Sequence, residues 1–117
     1  MAIDFLDGVK AEREEQRKRY LRAFREALKL SGLNASEKAE FDRLEKAVDT
    51  LVTKSNKKEA EIQPLASEDH DEYVSEMVEL CDQEAKTFVQ ITADLNKLVR
   101  AVRVRHASMS LSNIKDD

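Results

Sequence analysis

Three glutamates, Glu72, Glu76 and Glu79, have the spacing in this chain that best suits metal chemistry. Steps of four and three place their carboxylates on one face of a helix, where they could bind a divalent cation. A solvated acidic face has the same spacing and is the commoner reason for it. We therefore interpret the three glutamates as surface residues, and the sequence predicts no metal site and no cofactor.

The residue types needed for catalysis are also present, but not in catalytic patterns. His70 and His106 lie too far apart on one continuous helix to share a site, and neither belongs to an H-E-x-x-H or E-x-x-H motif. Cys81 falls within an apolar repeat, which favours a buried packing residue over a reactive thiol. Gly8 and Gly32 are the only glycines, so neither a phosphate-binding loop nor a nucleophile elbow can form. We expect a non-enzymatic protein.

A basic amphipathic segment extends from Arg17 to Lys29, with Tyr20, Phe24 and Leu28 on its apolar side. Such a helix can lie on an anionic membrane, enter a groove on another protein or contact nucleic-acid phosphate. It can also complete the core of a bundle, and this is the interpretation we favour.

Four arginines are candidate phosphate contacts: Arg13, Arg17, Arg22 and Arg25. Against nucleic-acid binding stand a net charge of −4 and the segment from Glu68 to Glu84, which holds eight acidic and no basic residues. Such a segment repels phosphate. Nucleic acid and a membrane surface therefore remain less favoured alternatives to a protein partner.

The elements that position these residues follow from an apolar repeat in the last third of the chain. Its members alternate at steps of four and three, and we call them the seam: Val74, Val78, Cys81, Ala85, Phe88, Thr92, Leu95, Val99, Val102, His106 and Met109. This spacing keeps one edge of a long helix facing a partner helix, as in coiled coils.

Three helical segments are predicted, over residues 4–30, 35–63 and 67–109. Ser31 and Gly32 end the first, and Pro64 ends the second. Asn34 with Glu37 forms a capping box for the second, and Ser36 is a rival N-cap. Ser67 is expected to cap the third segment. A short turn then makes the second and third segments an antiparallel helical hairpin.

Composition supports an all-α fold. Of 117 residues, 38% are charged, two are glycine and one is proline, which leaves few turn residues for a sheet. We expect a three-helix or dimeric bundle with one elongated helical domain over residues 1–107 and a mobile tail over 108–117. A single cysteine, the lack of a secretory pattern and the absence of a long apolar run lead us to expect a cytoplasmic protein.

The predicted third helix is longer than the second, so its seam should extend beyond the hairpin. We expect Leu95, Val99 and Val102 to need another cover, either the first helix or a second copy of the chain, and therefore predict a homodimer. The first half of the first helix, Lys10–Lys18, has almost no apolar residues and is expected to project into solvent.

The leading hypothesis is a helical coiled-coil interaction protein, such as an adaptor, assembly factor or chaperone-like module. It would associate with itself and bind another protein of unknown identity. Its candidate protein-binding residues are the apolar positions of the first helix: Ile3, Phe5, Leu6, Val9, Tyr20, Phe24 and Leu28.

Overall fold

The computed structural model describes the backbone of residues 2–115 and the side chains of residues 5–109. Within that range the chain forms helices α1 (Ala2–Leu28), α2 (Ala35–Ile62), α3 (Leu65–Glu68) and α4 (His70–Lys115), and no strand. The molecule is elongated, with dimensions of 73 × 25 × 16 Å. The predicted all-α helical bundle is confirmed, with three long helices and the one-turn helix α3.

Helix α4 forms the spine on which α1 and α2 both pack. Arg17 and Glu26 of α1 pair in the same chain order with Glu84 and Arg103 of α4, so α1 runs parallel to α4. Helix α2 runs antiparallel, because its first turn meets Arg105 and its last residue packs near the start of α4. The predicted antiparallel hairpin is therefore present.

The predicted cap of α2 is confirmed. The Glu37 N–H donates to Asn34 Oδ1 at 2.8 Å, and the Asn34 N–H donates to Glu37 Oε1 at 2.9 Å. Both bonds satisfy backbone donors that the helix itself leaves unpaired. Gly32, in the connection before this cap, has a φ of +65°, which only glycine adopts without strain. At the other end α2 stops at Ile62, two residues before Pro64.

The start of the third long helix differs from the prediction. Ser67 lies inside the one-turn helix α3, where its hydroxyl donates to the Pro64 carbonyl at 3.4 Å. Asp69 takes the capping role instead, since its Oδ1 accepts from the Glu72 N–H at 3.2 Å. Asp and Ser are comparable caps, so residue type alone does not choose between them.

The end of α4 was also placed too early. The helix continues to Lys115, six residues beyond Met109, so most of the predicted tail over 108–117 is helical. Asp116 and Asp117 lie outside the described residues, and the mobility of the tail stays a prediction. The seam stops at Met109, which is exposed, but helical backbone does not require a continued apolar stripe.

The first half of α1 does not project into solvent, contrary to the prediction. Leu6 is buried against the start of α4, and Gln16 is buried halfway along α1. Arg13 is mostly buried and pairs with Glu59 of α2. Long side chains bury their aliphatic stems while pairing their charged ends, so a polar stretch can still pack.

The end of the seam is covered within the chain by α1, which is one of the two covers expected from the sequence. Helix α2 reaches it as well, contrary to the prediction, since Glu37 in its first turn pairs with Arg105. Leu95, Val99 and Val102 are all buried within a single chain. Leu95 and Val99 belong to one apolar cluster with Ala27 of α1, which runs parallel to α4 and covers its later half. These three residues therefore offer no surface to a second copy, and a homodimer would need a different face.

A third row of buried residues on α4 lies beside the seam. It consists of Met77, Glu84, Ile91 and Leu98, spaced by seven residues. Two neighbouring helices require a broader buried face than a two-row seam provides. Three of the four residues are apolar, and the fourth, Glu84, is the centre of the polar arrangement described below.

Candidate functional site

Two apolar clusters lie at different levels of the bundle. The central cluster contains Tyr20, Ala23, Ala27, Leu44, Phe88, Ile91, Leu95 and Val99. The N-terminal cluster contains Leu6, Ile62, Val74, Met77 and Cys81. Between them lies a polar layer, consisting of Arg13, Arg17, Ser55, Glu59 and Glu84.

Arg17 and Glu84 form the core of this polar layer. Arg17 Nε donates to Glu84 Oε2 and Arg17 Nη2 donates to Glu84 Oε1, each at 2.7 Å. The Glu84 side chain is 0% exposed and that of Arg17 is 29% exposed. The hydrogen bonds to Glu84 raise the pKa of Arg17 above its ordinary value. A charge pair with this two-bond geometry is among the strongest that side chains make.

A second pair extends the layer to α2. Arg13 Nη1 donates to Glu59 Oε1 at 3.0 Å, and Ser55 is buried on the same helix. The Cys81 thiol lies nearby, and burial raises its pKa, which opposes formation of a reactive thiolate. Cys81 is therefore the packing residue that its position in the seam predicts. The polar layer joins α1 to both other helices.

The four candidate phosphate contacts do not form one surface. Arg13 and Arg17 face inward and are paired with carboxylates. Arg22 and Arg25 are exposed, with Arg22 Nη2 3.5 Å from Glu15 Oε1. The helical period separates these arginines because α1 turns one face toward α4 and α2.

The candidate protein-binding residues divide in the same way. Leu6 and Tyr20 are buried, and Val9 and Phe24 are half-buried against the clusters, so these four serve the core. Phe5 and Leu28 are 64% and 60% exposed. The Ile3 side chain lies outside the described residues.

Aromatic packing explains why Tyr20 and Phe24 are not available to a partner. The Tyr20 ring lies 5.7 Å from that of Phe88, and the Phe24 ring stacks on that of Phe41 at 5.6 Å, measured between centroids. These contacts tie α1 to α4 and to α2. Burial raises the pKa of Tyr20 above its ordinary value of 10.0.

Phe5 lines a groove on the surface, which we call the N-terminal groove. Its volume is about 280 Å³, and its lining consists of Phe5, Gly8, Val9, Glu12, Asp82 and Ala85. A Cβ at Gly8 would meet nothing within 4 Å, so no packing inside the chain explains a glycine there. Glycine in a helix interior costs stability, and here it lines the groove beside an exposed aromatic ring.

Farther along the same side of α1 and α4 lies a second, wider groove of about 510 Å³. The α4 wall of this groove includes Val89, Thr92, Ala93 and Asn96, and Val89 is 49% exposed. No periodic pattern in the sequence marks this face, because Val89 and Ala93 lie outside the seam.

The remaining acidic residues form no metal centre among the described part of the chain. No group of three or more His, Cys, Asp or Glu residues within it could hold a metal ion. Glu72 and Glu76 are close enough that a hydrogen bond between them raises the pKa of Glu72. Over residues 2–115, no helix combines the length and apolar character needed to cross a membrane.

Comparisons with protein-family models, with curated proteins and with solved structures found no match to this chain. Functional inference therefore depends on the geometry of the chain itself.

Proposed function

We propose that this protein is a non-enzymatic helical interaction module, of the adaptor, assembly-factor or chaperone-like kind, that associates with itself and binds another protein. The N-terminal groove is the observation that carries the proposal. An exposed Phe5 stands beside a glycine that no internal contact requires. Exposed aromatic side chains next to apolar concavities are typical of protein-binding sites.

The chemistry of the groove suggests what kind of partner segment it accepts. Val9 and Ala85 supply apolar lining, while Glu12 and Asp82 supply two carboxylates. An amphipathic helix with an apolar anchor residue and flanking lysine or arginine would match both features. The proposal keeps the coiled-coil interpretation of α4 and the cytoplasmic location expected from the sequence.

The two alternatives have weaker support. Arg13 and Arg17 are not available to bind nucleic-acid phosphate, since both are paired with carboxylates. Tyr20 and Phe24 are not available to insert into a membrane surface, because both pack against other helices. The groove at Phe5 needs neither of these sets of residues.

Photo-crosslinking in cells of the native host tests the proposal. We would place a photoreactive phenylalanine analogue at Phe5 and, as a control, at the exposed Lys46 of α2. We expect one protein to be captured at Phe5 and not at Lys46. Gly8→Leu should abolish that capture by filling the groove, whereas Ala11→Leu, on an exposed position of the same helix, should leave it unchanged.

The opposite pattern would refute the proposed site. If the same proteins are captured at both positions, or if Gly8→Leu captures as well as the unaltered chain, the groove does not bind a partner. Circular dichroism of each variant confirms that the helices are retained.

A further inference from the structure

Charge is distributed unevenly along the outward side of α4. Glu79 and Asp82 are exposed in its first half, and Arg100 and Arg103 are exposed in its second half. Within the chain Asp82 forms an exposed pair with Lys86, and Arg103 forms one with Glu26. The segment from Glu68 to Glu84 contains no basic residue at all. Acidic residues near the start and basic residues near the end stabilise a single helix, and they also make the helix complementary to an antiparallel copy of itself.

The middle of the same side is uncharged and partly apolar. Val89 is 49% exposed, and Ala93 and Asn96 next to it are small or neutral. These residues belong to the α4 wall of the 510 Å³ groove, whose α1 wall includes the charged residues Arg19, Arg22 and Glu26. An apolar centre flanked by charges is the usual arrangement in protein interfaces.

We infer that two copies of this chain associate antiparallel through this outward side of α4, with Val89 of each copy packed against Ala93 of the other. The inference rests on the self-association included in the proposed function and specifies its surface. This surface takes the place of the predicted self-association residues Leu95, Val99 and Val102, which are buried within each chain.

The register follows from the sequence. Val89 and Ala93 lie two residues either side of position 91, so a two-fold axis at this level opposes them. Asp82 and Arg100 lie nine residues either side of the same level, and Glu79 and Arg103 lie twelve. Two-fold symmetry makes each of these pairs occur twice, which gives four oppositely charged pairs around the apolar centre.

Sedimentation equilibrium with charge-reversal variants tests this arrangement. We expect the unaltered chain to dimerise at tens of micromolar. Asp82→Arg and Arg100→Asp should each weaken the dimer by roughly tenfold, because each replaces two attractive pairs with two repulsive pairs. The double variant restores opposite charges across an antiparallel interface and should return to within about threefold of the unaltered chain.

Two further variants sharpen the test. Val89→Arg places a charge at the apolar centre and should abolish the dimer, while the half-exposed position lets the chain stay folded. Lys54→Glu reverses an exposed charge on α2 and should leave the dimer unchanged. Added salt should weaken the unaltered dimer, since exposed charge pairs are screened.

Each outcome decides a different point. A strict monomer at tens of micromolar would overturn both the inference and the self-association in the proposed function. If the chain dimerises and none of the α4 substitutions changes the affinity of the dimer, only the assignment of the interface to this side of α4 is wrong. A double variant as weak as the single variants would overturn the antiparallel register. Because Asp82 also lines the N-terminal groove, the separate check of capture at Phe5 uses Arg100→Asp, which lies outside that groove and should leave the capture unchanged.

Discussion

The buried pair between Arg17 and Glu84 allows an asymmetric prediction. Replacing Arg17 by methionine leaves a carboxylate that is 0% exposed without its cation. Loss of one partner from a buried pair costs about 3–5 kcal/mol. Because the Arg17 side chain is itself 29% exposed, we expect Arg17→Met to lower the free energy of unfolding by about 3 kcal/mol, the lower end of this range. Glu84→Gln should cost only about 1 kcal/mol, since Arg17 can hydrate and still donate to the amide oxygen.

Urea unfolding followed by circular dichroism measures both values. If the free energy of unfolding falls by about 1.5 kcal/mol per molar urea, Arg17→Met should lower the urea concentration at the unfolding midpoint by about 2 M. The double variant Arg17→Met with Glu84→Leu removes both charges and extends the apolar row of Met77 and Ile91. We expect it to be as stable as the original chain, or more stable by about 1–4 kcal/mol.

Two results would refute this reasoning. If Arg17→Met costs less than about 1 kcal/mol, Glu84 is hydrated in solution and the layer is not buried. If the double variant is as unstable as Arg17→Met alone, the loss comes from packing of the arginine stem. Protein concentration is held constant throughout, because self-association would add to the apparent stability.

Four further outcomes follow from single contacts. Gly8→Ala should stabilise the chain by about 0.5–1 kcal/mol in thermal unfolding, since the added Cβ meets nothing and the helix loses a flexible residue. Asn34→Ala should cost about 1 kcal/mol by the same measurement, because it removes the α2 cap. The Cys81 thiol should react with a thiol reagent only after the chain unfolds. The hydrogen bonds from Arg105 hold the pKa of Glu37 below 4.5, so the stabilisation from Glu37 is present above that value and lost as the pH falls through the lowered pKa. Arg105→Gln should therefore reduce the fall in unfolding temperature between about pH 5 and about pH 3.

Local signals in the sequence were sufficient to predict where the three long helices lie and how α2 is capped. Asn34 and Glu37 have the spacing of a capping box, which is typical of a helix start, and Pro64 lacks the N–H that would continue α2. The alternation of the seam also specified which edge of α4 is buried. These features depend on neighbours in the chain, so they can be read without knowing how the helices pack.

Features that depend on packing were harder to predict. A third helix in the bundle was among the expectations, but the two rows of the seam did not show that α4 buries an additional row, which includes Ile91 and Glu84, against its two neighbours. The apolar members of that row, Met77, Ile91 and Leu98, lie fourteen and seven residues apart in the sequence. Glu84 interrupts this apolar row, and a glutamate is normally expected on the surface unless a paired basic residue such as Arg17 is known. Val89 was missed since an isolated apolar residue on a polar face carries no periodic signal.

Glu84 also explains why α1 adopts a single position along α4. The row of α1 that faces it contains Lys10, Arg17 and Phe24, again at steps of seven. Sliding α1 by one heptad in one direction brings Phe24 to the level of Glu84 and leaves the carboxylate unpaired, at a cost of about 3–5 kcal/mol. Sliding it in the other direction offers Lys10, whose single ammonium cannot reproduce the two hydrogen bonds from Arg17. The polar layer therefore fixes the register of α1, and with it the placement of Phe5 beside α4.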